Sequence, residues 1–143
     1  MANHYTVTNI KDDTQKLIDY SVDFAFKLLT DYQEFYPFAG SMSLNGIIAM
    51  ESGFDGNDHP LSQDLMNALD SLLEGKIENH EIRAYALTYD VKVKRVDTIA
   101  KIDAIAVKIK HAETKDTRVY YFAYRMAEGN KVEHLDSWSE IIS

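Results

Sequence analysis

The sequence predicts an α+β fold. It is a mostly antiparallel sheet of four to five strands with two amphipathic helices packed on one face, in the order α-β-α-β-β-β. Three observations carry this. Residues 82–126 hold three runs of alternating β-branched and aromatic residues joined by short polar links, as in an antiparallel meander. Residues 14–36 and 61–75 space their apolar residues by three and four, as amphipathic helices do. No linker, repeat or low-complexity tract interrupts the chain, so residues 1–143 read as one domain.

Residues 1–10 read as irregular. Asp12 or Asp13 can cap a helix that starts near Thr14. Its apolar stripe holds Leu17, Ile18, Ser21, Phe24, Ala25, Leu28, Leu29, Tyr32 and Phe35, and Pro37 ends it. Ser41–Met50 is the next strand, where Gly46 marks a bulge or a close backbone approach. Glu51–Pro60 has loop composition. The second helix buries Leu61, Leu65, Met66, Leu69, Leu72 and Leu73. Asp58 serves as its N-cap and Gly75 as its C-cap.

The meander places Tyr85, Leu87, Tyr89, Val91 and Val93 on one face of its first strand. Ile105, Val107 and Ile109 follow in the second strand, and Tyr120, Phe122, Tyr124 and Met126 in the third. Pairing Ala112 with Thr117 sets Ile109 opposite Tyr120 and Val107 opposite Phe122. Pairing Val91 with Val107 sets Asp90 opposite Lys108. All the large residues then share one face beneath both helices. A turn at 128–131 leads to a fourth meander strand at Val132–Leu135, or to a tail that covers the second face with Trp138.

Composition narrows the function. With 143 residues, 45% of them hydrophobic, the chain can bury a core without staples. It has no cysteine, which excludes disulfides, thiolate catalysis and cysteine-ligated metals. The net charge is −8, and residues 1–75 carry twelve acids against three lysines. Such a surface argues against nucleic acid, whose phosphates need a basic footprint. Residues 1–10 lack the pattern of a signal peptide, and the apolar runs are too short to span a bilayer. The expectation is a cytoplasmic protein with no membrane contact.

Catalytic motifs are mostly missing. There is no phosphate-cradling glycine loop, no Gly-x-Ser-x-Gly and no His-Glu-x-x-His. The best polar cluster is Glu51, Asp55, Asp58 and His59, which could bind a divalent metal or supply an acid–base pair. It falls short of a calcium loop, because Met66 stands at the twelfth position counted from Asp55. The plainer reading is that Asp58 caps a helix and the rest is wet loop. His80, His111 and His134 have no partner at ligand spacing and read as surface or hydrogen-bonded structural groups. The core tyrosines need hydroxyl partners wherever they are buried.

The second sheet face is the anomaly. Ala84, Ala86, Ala104, Ala106 and Ala123 would form a small-residue patch there, although alanine is a poor strand former. Tyr121 is its large anchor, and Lys92 and Lys110 lie at its rim. The expectation is an interaction face that takes another protein or a second copy as a homodimer. The function expected is a non-enzymatic interaction protein of adaptor, client-chaperone or toxin-neutralising type, without a cofactor. The alternative is a small-molecule- or metal-binding, enzyme-like domain centred on the 51–59 loop.

Overall fold

The computed structural model of the protein describes residues 6–51, 62–94 and 101–142. Within them the chain forms two helices and one antiparallel sheet of six strands. Helix α1 is Thr6–Tyr32 and helix α2 is Ser62–Glu78. The strands are β1 (Phe38–Ser43), β2 (Ile48–Glu51), β3 (Ile82–Lys94), β4 (Lys101–His111), β5 (Arg118–Ala127) and β6 (Lys131–Ile141). Their order across the sheet is β2-β1-β3-β4-β5-β6. The α+β class stands, while the strand count and the helix placement differ from expectation.

The strand beyond the expected four to five has a local cause, and the expected last meander strand is longer than Val132–Leu135. The run at 41–50 is a hairpin rather than one strand, turned at Gly46 with φ of +88°. That left-handed backbone favours glycine. Ser43 closes the turn, its N–H donating to the Ile47 carbonyl. At the other edge β6 runs eleven residues, through the Ser137–Glu140 stretch and Trp138.

The helices do not share a face. Helix α1 packs on Ala84, Ala86, Ile105, Val107, Ile109 and Tyr124. Helix α2 packs on Ala39, Ile82, Tyr85 and Leu87 from the opposite side. The cause is the β3–β4 register. Thr88 opposes Val107, Leu87 opposes Lys108, and Val91 opposes Ala104 rather than Val107. Relative to the expected pairing this is a slide of three residues, an odd number, which inverts one strand against the other. The β4–β5 pairing slides by two, setting Val107 opposite Tyr120, and so keeps its faces.

Small residues let α1 lie close to the sheet. Ser21 and Ala25 on the helix are fully buried, Ala25 in one cluster with Ala84 and Ala86 of the sheet. Gly40, opposite Ala86, leaves room for the Tyr20 ring, which stands 2.9 Å from where a Cβ would be.

Charge pairs dock α2. Lys108 Nζ donates to Asp70 Oδ1 at 2.8 Å, and Lys110 Nζ to Glu74 Oε2 at 2.9 Å. Asp70 and Glu74 are one helical turn apart, and Lys108 and Lys110 share a strand face, so the two spacings match. These half-exposed pairs orient the helix more than they stabilise it.

Both helices end in left-handed residues. Gln33, with φ of 65°, closes α1 through its N–H to the Leu29 carbonyl. The helix thus stops short of Pro37, leaving Phe35 outside it. His80, with φ of 59°, closes α2 by paired bonds from His80 to Ile77 and from Glu81 to Lys76. Gly75 lies inside α2 rather than at its cap.

Two buried tyrosines, Tyr85 and Tyr124, and the half-buried Tyr121 find carboxylates. Tyr85 donates to Asp70 Oδ1 at 3.0 Å, Tyr124 to Asp90 Oδ1 at 2.8 Å and Tyr121 to Glu140 Oε1 at 2.9 Å. Burial foremost, then these negative partners, pushes all three phenols well above their ordinary value. Unfolded phenols ionise near pH 10. Above that pH the unfolded chain holds fewer protons than the folded one, so stability falls as pH rises. Urea midpoints from pH 8 to 11 should therefore fall above about pH 10, with a shallower fall for Tyr85→Phe. A flat profile would contradict the raised phenols.

Candidate functional site

The five alanines do not form one patch. Ala84 and Ala86 lie beneath α1, while Ala104, Ala106 and Ala123 lie on the other face with Tyr121. Each is at most 2% exposed, so none presents a free contact surface. The five alanines therefore do not share the expected interaction face; the odd register slide puts the β3 alanines on one side and those of β4 and β5 on the other. Tyr121 stacks on Trp138 with ring centroids 5.3 Å apart. Lys110 is held by Glu74 of α2, and Lys92 pairs with Asp103 on the α1 side.

The 51–59 cluster is represented only by Glu51. Its carboxylate accepts from Lys76 Nζ at 2.9 and 3.0 Å and from Ser41 Oγ at 2.7 Å, tying β2 and β1 to α2. Asp55, Asp58 and His59 lie outside the described residues. Among the described residues, no group of three or more His, Asp or Glu side chains could hold a metal ion. Among them, too, no helix is long and apolar enough to cross a membrane.

A buried polar cluster joins α1 to the sheet. Asp13, 1% exposed, receives Arg83 Nη2 at 2.7 Å on Oδ1 and His111 Nε2 at 2.8 Å on Oδ2. His111 Nδ1 accepts the Glu113 N–H at 3.1 Å, so the Nε2–H of a neutral ring donates to Asp13. Arg83 also donates to the Leu44 carbonyl at 3.0 Å. A β-bulge aims it there: Ser43 opposes Ile82 while Met42 opposes Ala84, leaving Arg83 as the extra residue. Asp13 is thus a buried anchor inside a helix that starts at Thr6, not a cap. With both ring nitrogens of His111 engaged and all three residues enclosed, the cluster is structural.

A larger apolar concavity than the small polar one beside His111 lies at the other end of α1. A groove of about 420 Å³ is lined by Phe24, Leu28, Tyr32, Phe35, Tyr36 and Phe38. Its volume falls in the range of ligand and side-chain pockets. The chain builds it by stopping α1 at Gln33 and reversing through Pro37 into β1. Phe35 and Tyr36, on the reversal, then lie beside the last turns of the helix.

Phe38 is the floor. Phe24 meets it edge-on at 4.9 Å and Phe35 at 5.7 Å with a 59° tilt. At the rim Tyr32 is 69% exposed and Tyr36 48% exposed. Gln33 Nε2 fastens the reversal to the β5–β6 turn by donating to Asn130 Oδ1 at 2.6 Å. Glu34 is the charged residue in the lining. Such a site can hold an apolar or aromatic-seeking group by contact, with the Glu34 carboxylate as the charge beside it.

Sequence reasoning counted Phe24, Leu28, Tyr32 and Phe35 as helix stripe and gave Tyr36 and Phe38 no role, and so missed the groove. The signal available was Tyr32, Phe35, Tyr36 and Phe38 crowded around Pro37. Compared with known proteins, the chain matches no family model, no curated protein and no solved structure.

Proposed function

We propose that this protein is a non-catalytic interaction domain, of adaptor, client-chaperone or toxin-neutralising kind, which seats a basic segment of a partner protein in the groove at the end of α1. The groove's exposed tyrosine rim is the observation that carries this reading. Tyrosine is enriched where proteins bind, because its ring offers contact area at little entropic cost. Two such rings beside an aromatic floor form a contiguous apolar concavity of the kind that marks a contact site. The charge around it selects the partner. Asp23, Asp31 and Glu34 stand against Lys27 over residues 23–36. A basic partner is drawn to such a surface, which raises its association rate and fixes its orientation.

Panning a random-peptide display library on the protein tests this. Enriched peptides should carry Lys or Arg. Tyr32→Ser combined with Tyr36→Ser should weaken their binding at least tenfold, about 1.4 kcal/mol. Met50→Ser, at an exposed position on β2, should leave it unchanged. An acidic consensus, no enrichment, or binding indifferent to the two tyrosines would overturn the reading.

A further inference from the structure

Resting on that groove as the binding site, we infer that its anchor is an arginine side chain of the partner, laid along the tyrosine rim with its guanidinium directed to Glu34. Five of the seven lining residues are aromatic. Aromatic faces are negative and attract a cation placed above them, arginine more often than lysine. Tyr32 and Tyr36 are the two most exposed rings of the lining, so a ligand can reach their faces from solvent.

The rest of the lining separates the candidate anchors. A purely apolar anchor would cover Glu34 with nothing to balance its charge, at a desolvation cost. A lysine ammonium is compact and strongly hydrated, and these walls offer it few acceptors in exchange for its water. A guanidinium is weakly hydrated, stacks on rings, and presents a fork that fits a carboxylate. Its three-carbon stem can lie along Leu28 and Phe24 while the head stays at the rim. The volume of about 420 Å³ leaves room for the flanking backbone as well.

Titration of the full chain with three acetylated, amidated tripeptides, Gly-Arg-Gly, Gly-Lys-Gly and Gly-citrulline-Gly, followed by NMR at the Tyr32 and Tyr36 rings, tests the inference. Citrulline keeps the shape of arginine and removes the charge. The arginine peptide should bind at least tenfold tighter than the citrulline peptide and at least threefold tighter than the lysine peptide. Glu34→Gln, with an unchanged melting profile, should bring arginine to within about threefold of citrulline, since it removes the charge-assisted fork. Equal binding of arginine and citrulline, or of arginine and lysine, would overturn the arginine anchor while leaving the groove as a binding site. No perturbation of either tyrosine by any of the three would overturn both.

Discussion

Asp13→Ala should destabilise the fold by about 3–5 kcal/mol, the cost of leaving a buried charge without its partner. Asp13 is 1% exposed, and the Arg83 side chain it holds is 9% exposed. Removing the carboxylate strands the guanidinium between α1 and the β1–β2 turn, and it also takes away the acceptor of His111. Typical domains are stable by only about 5–15 kcal/mol, so this one change should consume much of the margin.

The pair need not be worth that much in itself. An apolar replacement of both partners can be neutral or stabilising where a single removal is severe. Asp13→Leu with Arg83→Met should therefore be less damaging than Asp13→Ala alone. Urea unfolding of the two variants checks both statements. A loss below about 1 kcal/mol for Asp13→Ala would mean that the charges are solvated and the cluster is not buried.

Ala86→Glu should prevent folding. Ala86 is fully buried beneath α1, between Gly40 on β1 and Ile109 on β4. A carboxylate there would have to be desolvated without a cation nearby, at an effective cost of several kcal/mol. Its added volume would also strike a helix held close by small residues, and overpacking of this kind costs about 1–3 kcal/mol more. Circular dichroism and a melting curve should show loss of the cooperative transition. Lys115→Glu, in the exposed β4–β5 loop, should move stability by less than about 0.5 kcal/mol. On a sheet whose alanines faced solvent, Ala86→Glu would leave the fold intact, so the experiment decides between the two arrangements. A native-like melt for Ala86→Glu would refute the β3–β4 register described above.

Much of the fold was legible in the chain. The meander of Ile82–Met126 could be read from alternation, because a pleated strand puts successive side chains on opposite sides. Both helices could be read from their three-and-four stripes, and Leu17, Leu29, Leu69 and Leu73 are buried as their spacing requires. The demand of buried tyrosines for partners was also legible, though not which partners. The groove at the end of α1 was not. Phe35 continues the helical stripe of α1 in sequence, yet Gln33 takes a left-handed conformation and turns the chain away before it. The Gln33 side chain there meets Asn130, 97 residues on, a contact that no local pattern announces.

What the sequence by itself determined is which residues share a side within each element, and hence that this is an α+β chain with two amphipathic helices on an antiparallel sheet. What only the tertiary structure decided is how those sides combine between elements. In a sheet covered on both faces, Tyr85 and Ala86 are buried equally, so alternation no longer marks an inside and an outside. The choice then falls to packing across strands and helices: Asp70 and Glu74 reaching Lys108 and Lys110, and Gly40, Ala84 and Ala86 admitting α1. These are contacts between residues distant in the chain. Their energies fix the register, and a one-strand pattern with a period of two carries no information about them.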